Sequence, residues 1–358
     1  MNKIRLLDLQ SVSALRSQTV YHAVAHAMTE ETPDTIILVS PQTPYVCAGF
    51  HQDIDKEIDL DYCRRNSLPV YRREVGGGAV YLDGGQVFIQ WAFHNGHLPA
   101  DLESRFRLYI EPLVETYRSF GINAYQRPIN DIHVDRRKIG GTGAARMGIA
   151  DVVVGSLMFA FDKKTMAKVL KVSSEKMRDK IFESLEQYMT TVEDQIGKVP
   201  PREAMIGEYL SCCARILGAE IIPGKWTPAE EAMAEEWDAR FLSEEWLYQR
   251  GGLRPRGLKI HEDVRVVESA YKSPGGLIRV TARIHDGTIE DLTCSGDFTI
   301  FPASSLSALE QAVRGVRATE EAVVAPLAEV FQKLQIQSPG VTVEDFTRAI
   351  LIAIDPPM

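Results

Sequence analysis

Arg72-Arg73-Glu74-Val75-Gly76-Gly77-Gly78-Ala79-Val80-Tyr81-Leu82-Asp83 wedges two arginines and three consecutive glycines between strand-like runs at 68–71 and 86–93. Three glycines cost chain entropy and add no packing. They suit a backbone that approaches a ligand closely or turns with φ > 0. Two guanidinium forks beside them match the oxygens of a carboxylate or phosphate. A structural bulge next to two solvated arginines is the competing reading. No Gly-Lys-Ser/Thr follows, which excludes a Walker A loop, and no helix with a downstream acidic residue follows, which excludes a dinucleotide fingerprint. Asp83-Gly84-Gly85 is a hairpin signal, so 79–82 and 86–93 are expected to pair as a hairpin.

A second constellation lies downstream: Asn130-Asp131-Ile132-His133-Val134-Asp135-Arg136-Arg137-Lys138-Ile139-Gly140-Gly141-Thr142-Gly143. Lys138 follows a charged hairpin turn and precedes a glycine-rich loop. A lysine there can place positive charge where an acyl-phosphate transition state gains negative charge. Arg136, Arg137 and Lys138 would otherwise be an exposed, solvated turn.

The chain has 358 residues, 45% hydrophobic and 25% charged, with a net charge of −9. That is globular composition with length for two domains, and its sign disfavours nonspecific binding to nucleic acid or an anionic membrane. Five cysteines, none in CxxC spacing, suit a reduced, cytoplasmic setting without structural zinc. The N-terminus lacks the apolar stretch of a signal peptide, and no apolar run is long enough to span a bilayer. Among the eight histidines only His22 and His26 have i,i+4 spacing, without an HExxH pattern. Helices are expected over 11–28, 101–120, 163–170, 174–189, 201–217 and 227–248, and strands over 35–39, 45–50, 131–134 and 152–161. Trp226, Trp237, Phe241, Trp246 and Tyr248 read as an aromatic stripe packed into a core in preference to an interdomain or partner surface. Arg250-Gly251-Gly252-Leu253-Arg254-Pro255-Arg256-Gly257 breaks regular structure and marks a domain boundary. Three strands (264–271, 277–285, 288–294) and three helices (304–314, 320–334, 343–353) follow.

Together the two loops resemble the lipoate–protein ligase family, in the superfamily that includes biotin ligases and octanoyl transferases. The resemblance rests on Arg72-Arg73-x-x-Gly76-Gly77-Gly78-Ala79-Val80-Tyr81-x-Asp83, then Asn130-Asp131 with Lys138 and its glycine-rich loop, then Gly155-Ser156-Leu157. Cys47-Ala48-Gly49-Phe50-His51-Gln52, Glu244-Glu245-Trp246 and Gly296-Asp297-Phe298 extend it over nearly the whole chain.

The resemblance implies an α+β fold. A catalytic domain (1–250) would have a mixed or antiparallel sheet with flanking helices, followed by a small α+β accessory domain (251–358). It implies attack of a lipoate (or octanoate) carboxylate on the α-phosphate of ATP, with Mg²⁺, and transfer of the acyl group from lipoyl-AMP to a carrier lysine. Lys138 would bridge carboxylate and α-phosphate. Arg73, supported by Arg72, would contact the adenylate phosphate, and Gly76, Gly77, Gly78, Ala79 and Val80 would line the adenylate. Asn130 and Asp131 would place nucleotide and metal, with Asp131 as the magnesium ligand, and Thr142 and Gly143 would line the pocket. Carriers would be a dehydrogenase-complex lipoyl domain, glycine-cleavage H protein or an H-like protein. The chain departs from the pattern at Val75, usually serine, at Leu82, usually histidine, and at Val153 or Val154, where a histidine is common. Two alternatives are an ATP-independent octanoyl or lipoyl transferase and a noncatalytic lipoate-binding protein. Ala144-Ala145-Arg146-Met147-Gly148, with no cysteine, argues against the transferase.

Overall fold

A computed structural model of the chain describes residues 2–172, 174–249 and 264–354. The expected boundary at Arg250 to Gly257, and His261, lie outside the described residues. The chain begins β1 (Asn2–Val12), α1 (Ala14–His26), β2 (Thr35–Pro41), β3 (Tyr45–Ala48), α2 (Ile54–Glu57), α3 (Leu60–Arg65), β4 (Val70–Arg72), β5 (Val80–Leu82), β6 (Gln86–His94) and α4 (Leu102–Ser119). Next come β7 (Tyr125–Arg127), β8 (Asp131–Val134), β9 (Arg137–Gly141), β10 (Gly143–Met147), β11 (Ala150–Met158), α5 (Lys163–Val169), α6 (Glu175–Tyr188), α7 (Val192–Ile196), α8 (Arg202–Leu217), β12 (Ala219–Pro223), α9 (Pro228–Phe241) and α10 (Glu244–Leu247). It ends with β13 (Val264–Ser273), β14 (Gly276–His285), β15 (Thr288–Gly296), α11 (Ser305–Ala312), α12 (Glu320–Lys333) and α13 (Val343–Ile354).

Two compact units form. The first comprises 1–47, 58–73 and 80–246, and the second 48–57, 74–79 and 247–358. The first is built on a mixed six-stranded sheet in the order β10-β11-β6-β2-β1-β12. β1 is parallel to β2 and β12, while β2–β6, β6–β11 and β11–β10 are antiparallel. β2 is buried along its whole length. Its Thr-Ile-Ile-Leu-Val run is continuous rather than alternating because helices or neighbouring chain cover both faces. α4 starts where the sequence places it, with the Asp101 carboxylate accepting from Ser104 N–H at 2.8 Å. Its Tyr109 hydroxyl donates to Ile89 O at 2.5 Å, and its Tyr117 hydroxyl accepts from Met158 N–H at 3.0 Å. These bonds fix α4 to β6 and β11.

The expected hairpin across Asp83-Gly84-Gly85 does not form. β5 pairs with β3, Tyr45 opposite Leu82, in a small sheet ordered β4-β3-β5. β6 instead pairs with β2 and β11. The turn exists, with Asp83 Oδ1 accepting from Gly85 N–H at 2.8 Å. It passes the chain from one sheet to another, because the nine-residue buried β6 needs long partners on both edges and the three-residue β5 cannot supply one. The N-terminal residues, to which the sequence assigns no element, form the parallel strand β1. Part of the glycine stretch 140–143 is strand rather than loop: Gly140 and Gly141 end β9, and Gly143 opens β10.

In the second unit β13, β14 and β15 form an antiparallel meander. Ile278, Val280, Ile284, Leu292 and Phe298 pack with Leu306, Leu309, Val323, Leu327, Phe346 and Ile350 of the helices into its core. Residues 48–57 and 74–79 are built into this unit: Gly296 N–H donates to His51 O at 3.0 Å, and Phe50 N–H to Val75 O at 3.1 Å. Among the described residues no helix is long and apolar enough to cross a membrane.

Candidate functional site

The β8–β9 hairpin carries the lysine. Its turn residues, Asp135 and Arg136, both take positive φ, 47° and 66°. Two-residue hairpins require that geometry, and Asn-Gly usually supplies it. Holding arginine there costs about 1–2 kcal/mol. The register runs Val134 opposite Arg137 and His133 opposite Lys138. It then shifts, so that Ile132 faces Gly140 and Asp131 faces Gly141. Ile139 is the extra residue of a bulge.

The bulge decides the geometry. Lys138 and Gly141 are three apart and would point to opposite faces of an ideal strand. Here the lysine side chain crosses the Gly141 backbone: a Cβ at 141 would stand 2.9 Å from Lys138 Nζ. Beyond that crossing Nζ meets Asp131 Oδ1 at 2.7 Å. Both side chains stay partly open, 28% and 21% exposed, so the pair is reachable by a ligand. His133 Nε2 lies 3.7 Å from Asp131 Oδ2, beyond hydrogen-bond distance. Burial lowers the His133 pKa, partly opposed by the Asp131 charge. The residues after α6 close the far side of β9, with Thr190 N–H donating to Lys138 O at 2.9 Å.

Asn130 and Thr142 clamp the base of the hairpin. Thr142 N–H and Oγ1 both donate to Asn130 O, at 2.9 and 3.0 Å, while Asn130 Nδ2 donates to Thr142 O. These two expected pocket residues are therefore joined to each other. Gly143 sits opposite Val154 at the start of β10.

Arg72, Arg73 and Val80 gather around β3. Arg72 is fully buried and Arg73 nearly so. Arg73 Nη1 donates to Cys47 O at 3.1 Å, and Val80 pairs with Cys47. Burial raises the Cys47 thiol pKa, and the Arg73 and Arg72 charges only partly offset it. Trp246 Nε1 donates to Arg72 O at 2.8 Å.

Gly76, Gly77, Gly78 and Ala79 fall in the second unit, against residues 297–299. Gly77, at φ 92°, directs its N–H at Phe298 O, 3.4 Å away. A Cβ at Gly76 would come within 2.9 Å of that same carbonyl oxygen.

Sequence reasoning missed three features. Asp131 was read as a magnesium ligand, and its pairing with Lys138 went unseen. Gly141 was read only as part of a loop, and the bond from Trp246 to Arg72 O went unseen. Two-residue turn geometry counted back from Asp135-Arg136 sets Lys138 opposite His133, but the bulge that brings Lys138 across Gly141 leaves no mark in composition.

Residues 14–212 match the family model of the lipoyl protein ligase A/B catalytic domain, and 266–350 that of the bacterial lipoate protein ligase C-terminus. The lipoate-protein ligase LplJ of Bacillus subtilis is 26% identical over 317 residues, 85% of this chain and 87% of that protein. The octanoyltransferase LipM of Kyrpidia tusciae is 25% identical over 276 residues, 70% of this chain and 100% of that one. A solved structure of an archaeal lipoylation system, a bi-partite lipoate protein ligase and its E2 lipoyl domain from Thermoplasma acidophilum, matches with a TM-score of 0.63 at 26% identity, covering 71% of this chain and 100% of that chain. With more than half of its length matched by the catalytic-domain model, the chain belongs to the lipoyl protein ligase A/B family.

Proposed function

We propose that this protein activates lipoate or octanoate with ATP and joins the acyl group to a lysine of a lipoyl carrier protein. The observation that carries this reading is the Lys138 ammonium, held 2.7 Å from Asp131 across Gly141 on a hairpin of a ligase-family fold. In the first step a carboxylate oxygen attacks the α-phosphorus, the bond to pyrophosphate breaks, and acyl-AMP forms. In the second the neutral carrier amine attacks the acyl carbon, AMP leaves, and the amine gives up a proton. Neither step needs a protein nucleophile, so positioning and charge stabilisation carry the catalysis. Lys138 supplies positive charge to the carboxylate and α-phosphate. Arg73, braced on Cys47 O, faces the adenylate phosphate, and Arg72 supports it from the core. Gly76, Gly77, Gly78, Ala79 and Val80 form the adenylate loop, and Asn130, Thr142 and Gly143 shape the hairpin base. Asp131 offers a carboxylate donor for Mg²⁺, an ion that takes one or two carboxylates and completes its shell with phosphate oxygens and water. Bound with nucleotide, the ion would neutralise phosphate charge. Residues 1–250 would form the adenylating and transferase domain and 251–358 the accessory domain, in a cytoplasmic protein.

The likeness to an octanoyltransferase favours a second reading, transfer between carriers without ATP. A cysteine nucleophile for it lacks support: all five cysteines are buried. Burial pushes the thiols of Cys63 and Cys213 up to about 11 and about 12, and raises those of Cys47 and Cys212. A nucleophilic cysteine needs the opposite shift. Incubation with ATP, Mg²⁺ and lipoate or octanoate decides between them. Pyrophosphate release and acyl-AMP seen by mass spectrometry are expected. Absence of an adenylate with either acid, together with ATP-independent transfer from an octanoyl carrier, would establish the second reading.

A further inference from the structure

Two of the large apolar side chains exposed among the described residues are aromatic, Tyr125 at 39% and Tyr188 at 40%. They lie together. Tyr125 pairs with His133 across β7–β8. The buried His133 ring sits between them, 6.2 Å from Tyr125 and 5.6 Å from Tyr188. Arg127 Nη1 donates to the Tyr188 hydroxyl at 2.9 Å. Arg136 and Arg137 stand at the tip of the adjoining hairpin. The arginines Arg146, Arg178 and Arg215 are paired with carboxylates, but among the described residues Arg127, Arg136 and Arg137 have no such partner. From Tyr125 to Gly141 four basic side chains face two acidic ones, a net of +2 in a chain of net −9. The patch adjoins Lys138: Met189, next to Tyr188, bridges Lys138, and Arg137 precedes it.

Tyrosine and arginine are enriched at the energetic centres of protein interfaces. Here two tyrosines are fixed on a packed histidine, and the arginines are left unneutralised. A chain of net negative charge disfavours an acidic partner over its surface as a whole, and a local positive patch such as this one relieves that repulsion. We propose that Tyr125, Tyr188, Arg127, Arg136 and Arg137 form the docking face for the carrier protein, met by acidic side chains around its acceptor lysine. The proposal rests on the ligase reading for its choice of partner. The arginines steer the carrier, the tyrosines anchor it, and the adjoining Lys138 hairpin receives the acceptor amine.

Two measurements test the proposal separately from the chemistry. In the first, a fluorescently labelled, unlipoylated E2 lipoyl domain is titrated with the protein at rising salt. In the second, lipoyl-AMP formation and acyl transfer are followed as separate steps. Combining Arg127→Glu, Arg136→Glu and Arg137→Glu is expected to weaken binding and raise the carrier KM by about tenfold or more, and to flatten the salt dependence of wild type. Tyr188→Ala is expected to weaken binding by about three- to tenfold. Lipoyl-AMP formation should stay within about twofold in all of them, since none touches the adenylate. A triple Arg→Gln variant, neutral rather than reversed, should fall between wild type and the glutamate variant, and it decides the matter if the latter misfolds. Wild-type binding and KM in the neutral variant would overturn the docking face, as would loss of lipoyl-AMP in step with transfer. If wild type makes no lipoyl-AMP yet binds the domain through these arginines, the docking face stands and the ligase reading falls.

Discussion

Gly76 and Gly141 each leave room that a methyl group would fill to within 2.9 Å of another atom, yet what each faces is different. At Gly141 the neighbour is Lys138 Nζ, the far end of a flexible side chain. At Gly76 it is Phe298 O, a backbone oxygen, with Thr299 Cα 3.2 Å away. Gly141 protects a position of charge, and Gly76 protects a packing of backbone. Identical clearance should therefore translate into lost activity in one region and lost stability in the other.

Lys138→Ala carries the largest expected effect. Adenylation should fall about 10²–10³-fold, the scale of removing one charge-stabilising donor. The melting temperature should barely move, because a partly exposed ion pair adds little stability. Near-wild-type pyrophosphate release would show that another group supplies the charge. Gly141→Ala sharpens the contrast: it displaces the ammonium without removing it, so a loss of about tenfold to hundredfold is expected with a nearly unchanged melt. Gly76→Ala should do the reverse locally and destabilise the protein by about 1–3 kcal/mol, read from denaturant unfolding. An unchanged unfolding midpoint would mean that the 74–79 segment moves off Phe298 at little cost.

A smaller effect concerns pH. Burial lowers the folded-state pKa of His133 below its unfolded value of about 6.5, so folding favours the neutral ring. That contribution is complete above the unfolded pKa and is lost as pH falls through the lower folded value. Stability should drop on acidification below about pH 6.5. His133→Gln should remove this part of the slope, seen as a flatter dependence of the melting temperature on pH.

Much of the fold was legible because its signals are local. α4 announces itself through Asp101 and its apolar face, and the strand–strand–strand–helix order of 264–354 through turns and periodicity. Sheet membership was not legible at Asp83-Gly84-Gly85. That turn chemistry is a true signal for reversal, but the partner of β6 is chosen by length and burial elsewhere in the chain. The site divides in the same way. Lys138 stands out by its place between a charged turn and glycines. Its crossing of Gly141 depends on a one-residue bulge at Ile139, and the brace from Trp246 to Arg72 O spans 174 residues of chain.

Residues 48–57 also bear on how the molecule is made. Lys56 Nζ bonds Glu268 Oε1 and Arg279 Nε bonds Glu57 Oε1, closures of 212 and 222 residues. At about 5–20 residues per second, a ribosome that has just released this segment needs about 10–40 s more to deliver its partners. Such long closures are also slow in themselves. During that interval Ile54, buried in the finished protein, waits for the rest of its unit and is exposed to the hazards of an incomplete fold.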